Sequence, residues 1–202
     1  MLVLGIVGGV ASGKSLVSSA LGRLGAEVID ADRLGHEVLL EPEVIAAAHQ
    51  RWGDEVLLPD GQLNRRAIAQ RVFGDSPQAK QERTILEAWT HPRIGAKARE
   101  RISELATRGD TDVVVLDAAL LLEAGWNEYC DRILYVDVPR EVREQRARNR
   151  GWSIAELDAR EAAQLPLSQK RAAADIVIDN SGSPKNTVKQ IEAVWHSLLA
   201  EA

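Results

Sequence analysis

The sequence predicts an α/β protein with a five-stranded parallel sheet, on three observations. Short apolar runs alternate with longer helical patterns, the order imposed when parallel strands are joined by crossover helices. Each run is apolar along its whole length, as in strands covered on both faces. A glycine-rich turn ending in Lys14-Ser15 joins the first run to the first helical pattern. The composition agrees: 202 residues, 45% hydrophobic and 27% charged, enough for one α/β domain carrying an insertion or for two small domains.

In chain order, the strand candidates are Leu2 to Val7, Glu27 to Ile29, Val113 to Asp117, Arg132 to Val136 and Ile176 to Ile178. Between the first two, Leu16, Val17, Ala20, Leu21 and Leu24 form one helical stripe, and Gly25 stands where a C-terminal cap is expected. At the far end Ser183-Pro184 reads as N-cap and first helical residue, with Val188, Ile191, Val194, Trp195 and Leu198 continuing the apolar face. From Asp32 to Gly109 there is no strand pattern, only helical segments expected to break at Pro42, Pro59-Asp60-Gly61, Gly74 to Pro77 and His91-Pro92. Residues 33–110 therefore read as a helical insertion. Residues 140–172 are helical, rich in charge and poor in apolar positions, the pattern of a mobile flap. Residues 1–32, 111–139 and 173–202 remain as the core.

Several function classes fall away at this level. The single cysteine, Cys130, cannot form an intramolecular disulfide or a multi-thiolate zinc site, which suits a reducing, cytoplasmic setting. The run from Val113 to Leu122 is interrupted by Asp117 and falls short of the roughly 20 residues a membrane span needs. The N-terminus is apolar but has no basic segment of the secretory kind. A net charge of −5 and a basic stretch without interleaved aromatics argue against nucleic acid as a partner. His36, His49, His91 and His196 are scattered singly, so neither a hydrolytic metal site nor a nucleophilic triad is supported.

The chemistry lies in Gly8-Gly9-Val10-Ala11-Ser12-Gly13-Lys14-Ser15, which fits G-x-x-x-x-G-K-[ST] between a strand and a helix. In that context the curled backbone turns successive N–H groups and the helix N-terminus toward a polyphosphate. Lys14 reaches the terminal phosphates and Ser15 offers a hydroxyl to Mg²⁺. Position 11 is alanine and position 16 leucine. Cradling of phosphate by backbone N–H groups does not call for glycine at position 11 unless its φ is positive, and activity is not excluded by either residue.

A P-loop specifies a nucleotide, not a reaction. No Asn-Lys-x-Asp of a guanine-specific switch follows a strand, whereas all the parts of a small-molecule kinase have candidates. Asp32, just past the second strand, is either a base for an acceptor hydroxyl or the cap of the next helix. Asp117, after four apolar residues, is a candidate for holding Mg²⁺ or its water shell. Glu123, six residues on, is a further site candidate or an ordinary surface acid. Arg143, Arg146 and Arg150 share one helical face, which can either clamp phosphate in two-point contacts or pair with neighbouring glutamates.

The chain resembles the dephospho-coenzyme A kinases nearly end to end. The likeness runs through the glycine-rich block from Gly5, Ile29-Asp30-Ala31-Asp32, Asp60-Gly61-Gln62-Leu63-Asn64-Arg65, His91-Pro92, Leu120-Leu121-Leu122-Glu123, Ala162-Ala163-Gln164-Leu165-Pro166, and Ala174-Asp175 with Asp179-Asn180-Ser181-Gly182. The resemblance implies a P-loop NTPase fold with a helical acceptor-binding insertion and a helical lid. It also implies transfer of a phosphoryl group from ATP, with Mg²⁺, to the ribose 3′-hydroxyl of dephospho-CoA. On that likeness Asp32 is the base, with Lys14 and Arg146 the other catalytic candidates. ATP contacts fall on residues 8–16, Arg143, Arg150, Asn180 and Gly182; the acceptor falls on Asp32, Arg65, His91 and Glu123, and the metal on Ser15 and Asp117. A monomer or weak homo-oligomer is expected. The other readings are another nucleoside or nucleotide kinase and a nucleotide-dependent switch.

Overall fold

A computed structural model gives the structure of residues 1–74 and 76–202. The chain runs β1 (Leu2–Gly8), α1 (Lys14–Leu24), β2 (Glu27–Asp30), α2 (Ala31–Val38), α3 (Pro42–Trp52), α4 (Arg65–Val72), α5 (Pro77–Arg108), β3 (Val113–Asp117) and β4 (Arg132–Asp137). It continues through α6 (Arg140–Asn149), α7 (Ile154–Ala162), α8 (Leu167–Ala172), β5 (Ile176–Asp179) and α9 (Pro184–Glu201). The five strands pair in the order β2-β3-β1-β4-β5, every pairing parallel. All five expected strands are present, each starting where the sequence puts it and four running one residue further.

The apolar runs become strands because helices cover them. Leu2, Leu4 and Ile6 of β1, Val113 and Val115 of β3 and Leu134 and Val136 of β4 share one core with Val17, Ala20 and Leu21 of α1 and Ile191, Trp195 and Leu198 of α9. At about 25 cal/mol per Å² of apolar surface this layer is the main stabilising element of the sheet. Gly25 closes α1 with φ 117°, and the Trp195 ring lies 3.6 Å from where a Cβ on it would stand. Glycine is needed there for the left-handed turn, since a Cβ would meet the ring only at ordinary contact distance. Ser183 caps α9 as expected, accepting from the Asn186 N–H. Burial, with Asp131 second, pushes the Cys130 thiol up to about 12, so it stays protonated near neutral pH.

The chain divides into two compact units, Met1–Ala31 with Ala98–Ala202, and Asp32–Lys97. The second unit is helical and ends earlier than residue 110 because α5 crosses the boundary as one helix. Pro92, expected to break that helix with His91, lies inside it. Proline there removes one backbone donor and crowds the preceding turn. Side chains keep neighbouring carbonyls bonded: Arg93 Nη1 donates to Trp89 O at 2.8 Å and Thr90 Oγ1 to Leu86 O at 2.9 Å. Among the described residues, no helix is long and apolar enough to cross a membrane.

Candidate nucleotide-binding site

The carboxyl ends of the strands bring the first parts together. In register, Ile6 of β1 faces Asp117 of β3, and Asp117 in turn faces Asp30 of β2. The chain leaves β1 at Gly8, curls through residues 9–13 and enters α1 at Lys14. Ser12 N–H donates to Gly9 O at 3.1 Å, closing the curl, and Gly13 stands at φ 91° immediately before the helix. Ala11 has φ 60°, the one non-glycine left-handed residue among those described. The condition set on the sequence is therefore met against alanine: the loop takes a conformation that glycine adopts freely and that costs an L-residue about 1–2 kcal/mol. The surrounding fold over-determines the loop and holds it there.

Two side chains from elsewhere supply that restraint. Arg146 of α6 donates through Nη1 to Ser12 O at 2.9 Å and through Nη2 to Asn180 O at 2.7 Å. Asn180 Nδ2 donates to the same Ser12 carbonyl at 2.7 Å. Asn180 is itself fixed, since Oδ1 accepts from Thr187 Oγ1 at 2.8 Å and its N–H donates to Asp137 O at 2.9 Å. A Cβ on Gly13 would stand 2.4 Å from Asn180 Nδ2, so this approach requires glycine at 13 as well as its positive φ. Burial, and secondarily the charge of Arg150, lowers the pKa of Arg146 from its ordinary value, though a guanidinium remains charged at any working pH.

Arg143 is 4% exposed. Its Nε donates to Val138 O at 3.3 Å, it pairs with Glu161 of α7, and Nη1 stands 3.2 Å from a Cβ position on Gly9. The same Glu161 pairs with Arg140, which also binds Glu144 and Asp158. Arg140, Arg143, Glu144, Asp158 and Glu161 of the predicted flap thus pair with one another, near buried Ala147 and Leu157. Arg150 follows α6 as its C-cap, with its guanidinium 5.6 Å from the Trp152 ring centre. Of the three arginines placed on one face, two reach the P-loop and the third stacks on an aromatic. Gly182 lies in the turn before α9, and Ser181 N–H donates to Asp179 Oδ1 at 2.8 Å.

The remaining candidates separate. Ser15 is exposed in the first turn of α1. Asp32 is exposed in the first turn of α2, which begins at Ala31, so the expected helix start at about Arg33 moves back and the N-cap position no longer falls on Asp32. In the helical unit Arg65 opens α4 and its Nη2 meets His36 Nε2 at 2.6 Å. His91 is half-buried in α5, where burial lowers its pKa against the opposing charge of Glu87. Glu123 Oε1 accepts from Lys170 Nζ at 2.9 Å and from Leu165 N–H at 2.8 Å. Sequence reasoning missed His36 and Lys170. His36 carried a signal, lying one helical turn after Asp32; Lys170 sits in a charge-rich stretch and carried none.

A family model described as "Dephospho-CoA kinase" matches residues 2–186. The chain belongs to the dephospho-CoA kinase family. Relatives so named include one from Geobacter sulfurreducens, 42% identical over 96% of this chain and 98% of its own length. One from Anaeromyxobacter dehalogenans is 42% identical over 92% of this chain and 86% of its own length. Among solved structures, a Thermus thermophilus protein superposes with TM-score 0.76 at 34% identity, covering 99% of this chain and 97% of that one. A shikimate kinase from Acinetobacter baumannii, 14% identical and covering 100% of this chain and 94% of its own, shares the fold alone with TM-score 0.54. The resemblance drawn from the motifs and the α/β P-loop fold both stand.

Proposed function

We propose that the protein transfers the γ-phosphoryl group of ATP to the ribose 3′-hydroxyl of dephospho-CoA, giving coenzyme A and ADP. Membership of the family supports this assignment. The observation that carries the nucleotide half is the doubly held Ser12 carbonyl, which fixes the backbone of the P-loop. Such a loop is organised before phosphate arrives, so little reorganisation opposes binding or transfer.

The roles follow from chemistry. The Lys14 ammonium balances charge on the transferring group, and the P-loop N–H groups hold the β-phosphate. Arg143 and Arg146 hold the loop in shape, with Arg143 available to phosphate if Glu161 releases it. Asp32 accepts the proton of the 3′-hydroxyl, a role for which its exposed carboxylate is suited. Arg65 and His91 are proposed for the acceptor, whose phosphate groups a guanidinium fork matches. The segment 140–172 closes as a lid and keeps water from the reacting phosphorus.

For Mg²⁺, no cluster of three or more His, Cys, Asp or Glu side chains exists among the described residues. A hydroxyl at Ser15 and a carboxylate at Asp117 nevertheless fit a hard cation that arrives on nucleotide phosphates and keeps much of its water. Bound there, the metal would neutralise charge on the phosphate oxygens. A reducing cytoplasmic location is proposed from the cysteine usage.

A coupled ADP-release assay tests the reading. ADP should form in step with added dephospho-CoA and at a small fraction of that rate without it. Slow hydrolysis indifferent to dephospho-CoA would overturn the kinase reading in favour of a nucleotide-dependent switch.

A further inference from the structure

Lys170 is a charged side chain that is fully buried and that the reaction does not use. Its side chain is 1% exposed, on the six-residue helix α8. Taking an ammonium out of water is costly unless its donors are met. Here three acceptors surround Nζ: Glu123 Oε1 at 2.9 Å, Gln164 Oε1 at 2.9 Å and Ala119 O at 3.4 Å. Glu123 Oε1 also takes the Leu165 N–H at 2.8 Å. Glu123 Oε2 is enclosed and has no hydrogen-bond partner.

The network joins three segments that no backbone ladder connects. Ala119 and Glu123 belong to the turns after Asp117, Gln164 and Leu165 to the link between α7 and α8, and Lys170 to α8 itself. From α8, Leu167 Cδ2 reaches within 3.2 Å of a Cβ position on Gly9 of the P-loop, beside the Arg143 guanidinium. Any shift of α8 is therefore felt at the phosphate loop. A buried pair of this kind is a poor way to gain stability, since an apolar pair of similar volume often serves as well. What it does supply is direction, because an ammonium with three fixed acceptors has one place to sit.

We propose that Lys170 is a positioning residue, pinning the base of the 140–172 segment to the turn after Asp117 so that the segment closes on the P-loop in one register. This rests on the kinase reading above. A loosened base would admit water to the phosphoryl group, so the characteristic loss is of coupling as well as of rate.

The test compares the parent with Gln164→Ala and with the double variant K170M/E123Q, which removes both buried charges together. Three quantities are read: melting temperature, ADP formed with and without dephospho-CoA, and hydrogen exchange at the Leu165 amide without substrate. The double variant should melt within a few degrees of the parent, lose about tenfold in kcat, and waste several-fold more ATP per transfer. Gln164→Ala, which keeps the ion pair, should show the same two changes at about threefold. Exchange at Leu165 should accelerate tenfold or more in the double variant. Parental kcat and coupling in either folded variant would overturn the proposal, as would an unprotected Leu165 amide in the parent. A parent making no ADP in step with dephospho-CoA would instead sink the function, leaving the exchange result to judge the hinge.

Discussion

Beside the P-loop, Arg143 and Asn180 are buried and committed to protein partners, whereas Asp32 of α2 and Arg65 of α4 stand exposed. Arg143 and Arg146 give hydrogen bonds to backbone carbonyls, and Asn180 is held by both Thr187 and Asp137. On the helical unit, Asp32 is exposed and Arg65, also exposed, meets His36. The difference suits the role proposed for each part. A phosphate cradle works by being in place before charge develops, so its donors are fixed by surrounding structure. A general base must keep a lone pair for the substrate, so a carboxylate already spent on the protein would be a poor one.

The largest effect should come from the exposed side of this contrast. Asp32→Asn removes the basic oxygen and keeps the shape, so dephospho-CoA-dependent ADP formation should fall by about 10²-fold or more. Because the carboxylate is exposed, melting temperature should stay within the scatter of surface substitutions, about ±0.5 kcal/mol in stability. ATP affinity, measured by direct titration, should be kept. An unchanged rate would remove Asp32 as base, and a collapse of stability would mean that α2 depends on it after all.

The buried side should respond in the opposite sense. Arg146→Met strips one of two side-chain donors from Ser12 O and the Nη2 donor from Asn180 O. Leaving such carbonyls short of partners costs about 1–3 kcal/mol. ATP should bind about tenfold more weakly, the equivalent of roughly 1.4 kcal/mol. Arg146→Lys should recover only part of this, since an ammonium cannot fork between two carbonyls as a guanidinium does. Full ATP affinity in Arg146→Met, by titration, would show that the P-loop holds its shape without the clamp.

The same contrast separates what the sequence disclosed from what it hid. The strands were legible because burial on both faces demands unbroken apolar runs, and the P-loop because its glycines and Lys14 sit at fixed spacing. The three arginines were legible as a face, but not the division of labour within it: that Arg146 would grip Ser12 O depends on Asn180, which follows in the chain only at the end of β5. Pro92 misled because α5 continues through it, and the side-chain bonds that Thr90 and Arg93 beside it make to the carbonyls of Leu86 and Trp89 are not revealed by periodicity. Lys170 was hidden for a related reason, since a buried charge looks in sequence like any solvated one.

The smallest effect concerns the loop's own backbone. Ala11 is buried and left-handed, so Ala11→Gly relieves about 1–2 kcal/mol of conformational strain. Against this stand about 0.4–1 kcal/mol from the freer unfolded chain and about 0.8 kcal/mol from the lost methyl group. The terms nearly cancel, and stability should change by no more than about 0.8 kcal/mol either way, roughly 3 °C or less in melting temperature for a chain of this size. Ala20, equally buried but in the interior of α1, is the control. There Ala20→Gly has no strain to relieve, and the helix penalty of about 1 kcal/mol adds to the lost methyl for about 2 kcal/mol. Thermal melts of the two variants should therefore differ by several degrees. Equal losses would mean that Ala11 pays no backbone penalty, and that the curl around the phosphate site is relaxed rather than held by Arg146 and Asn180.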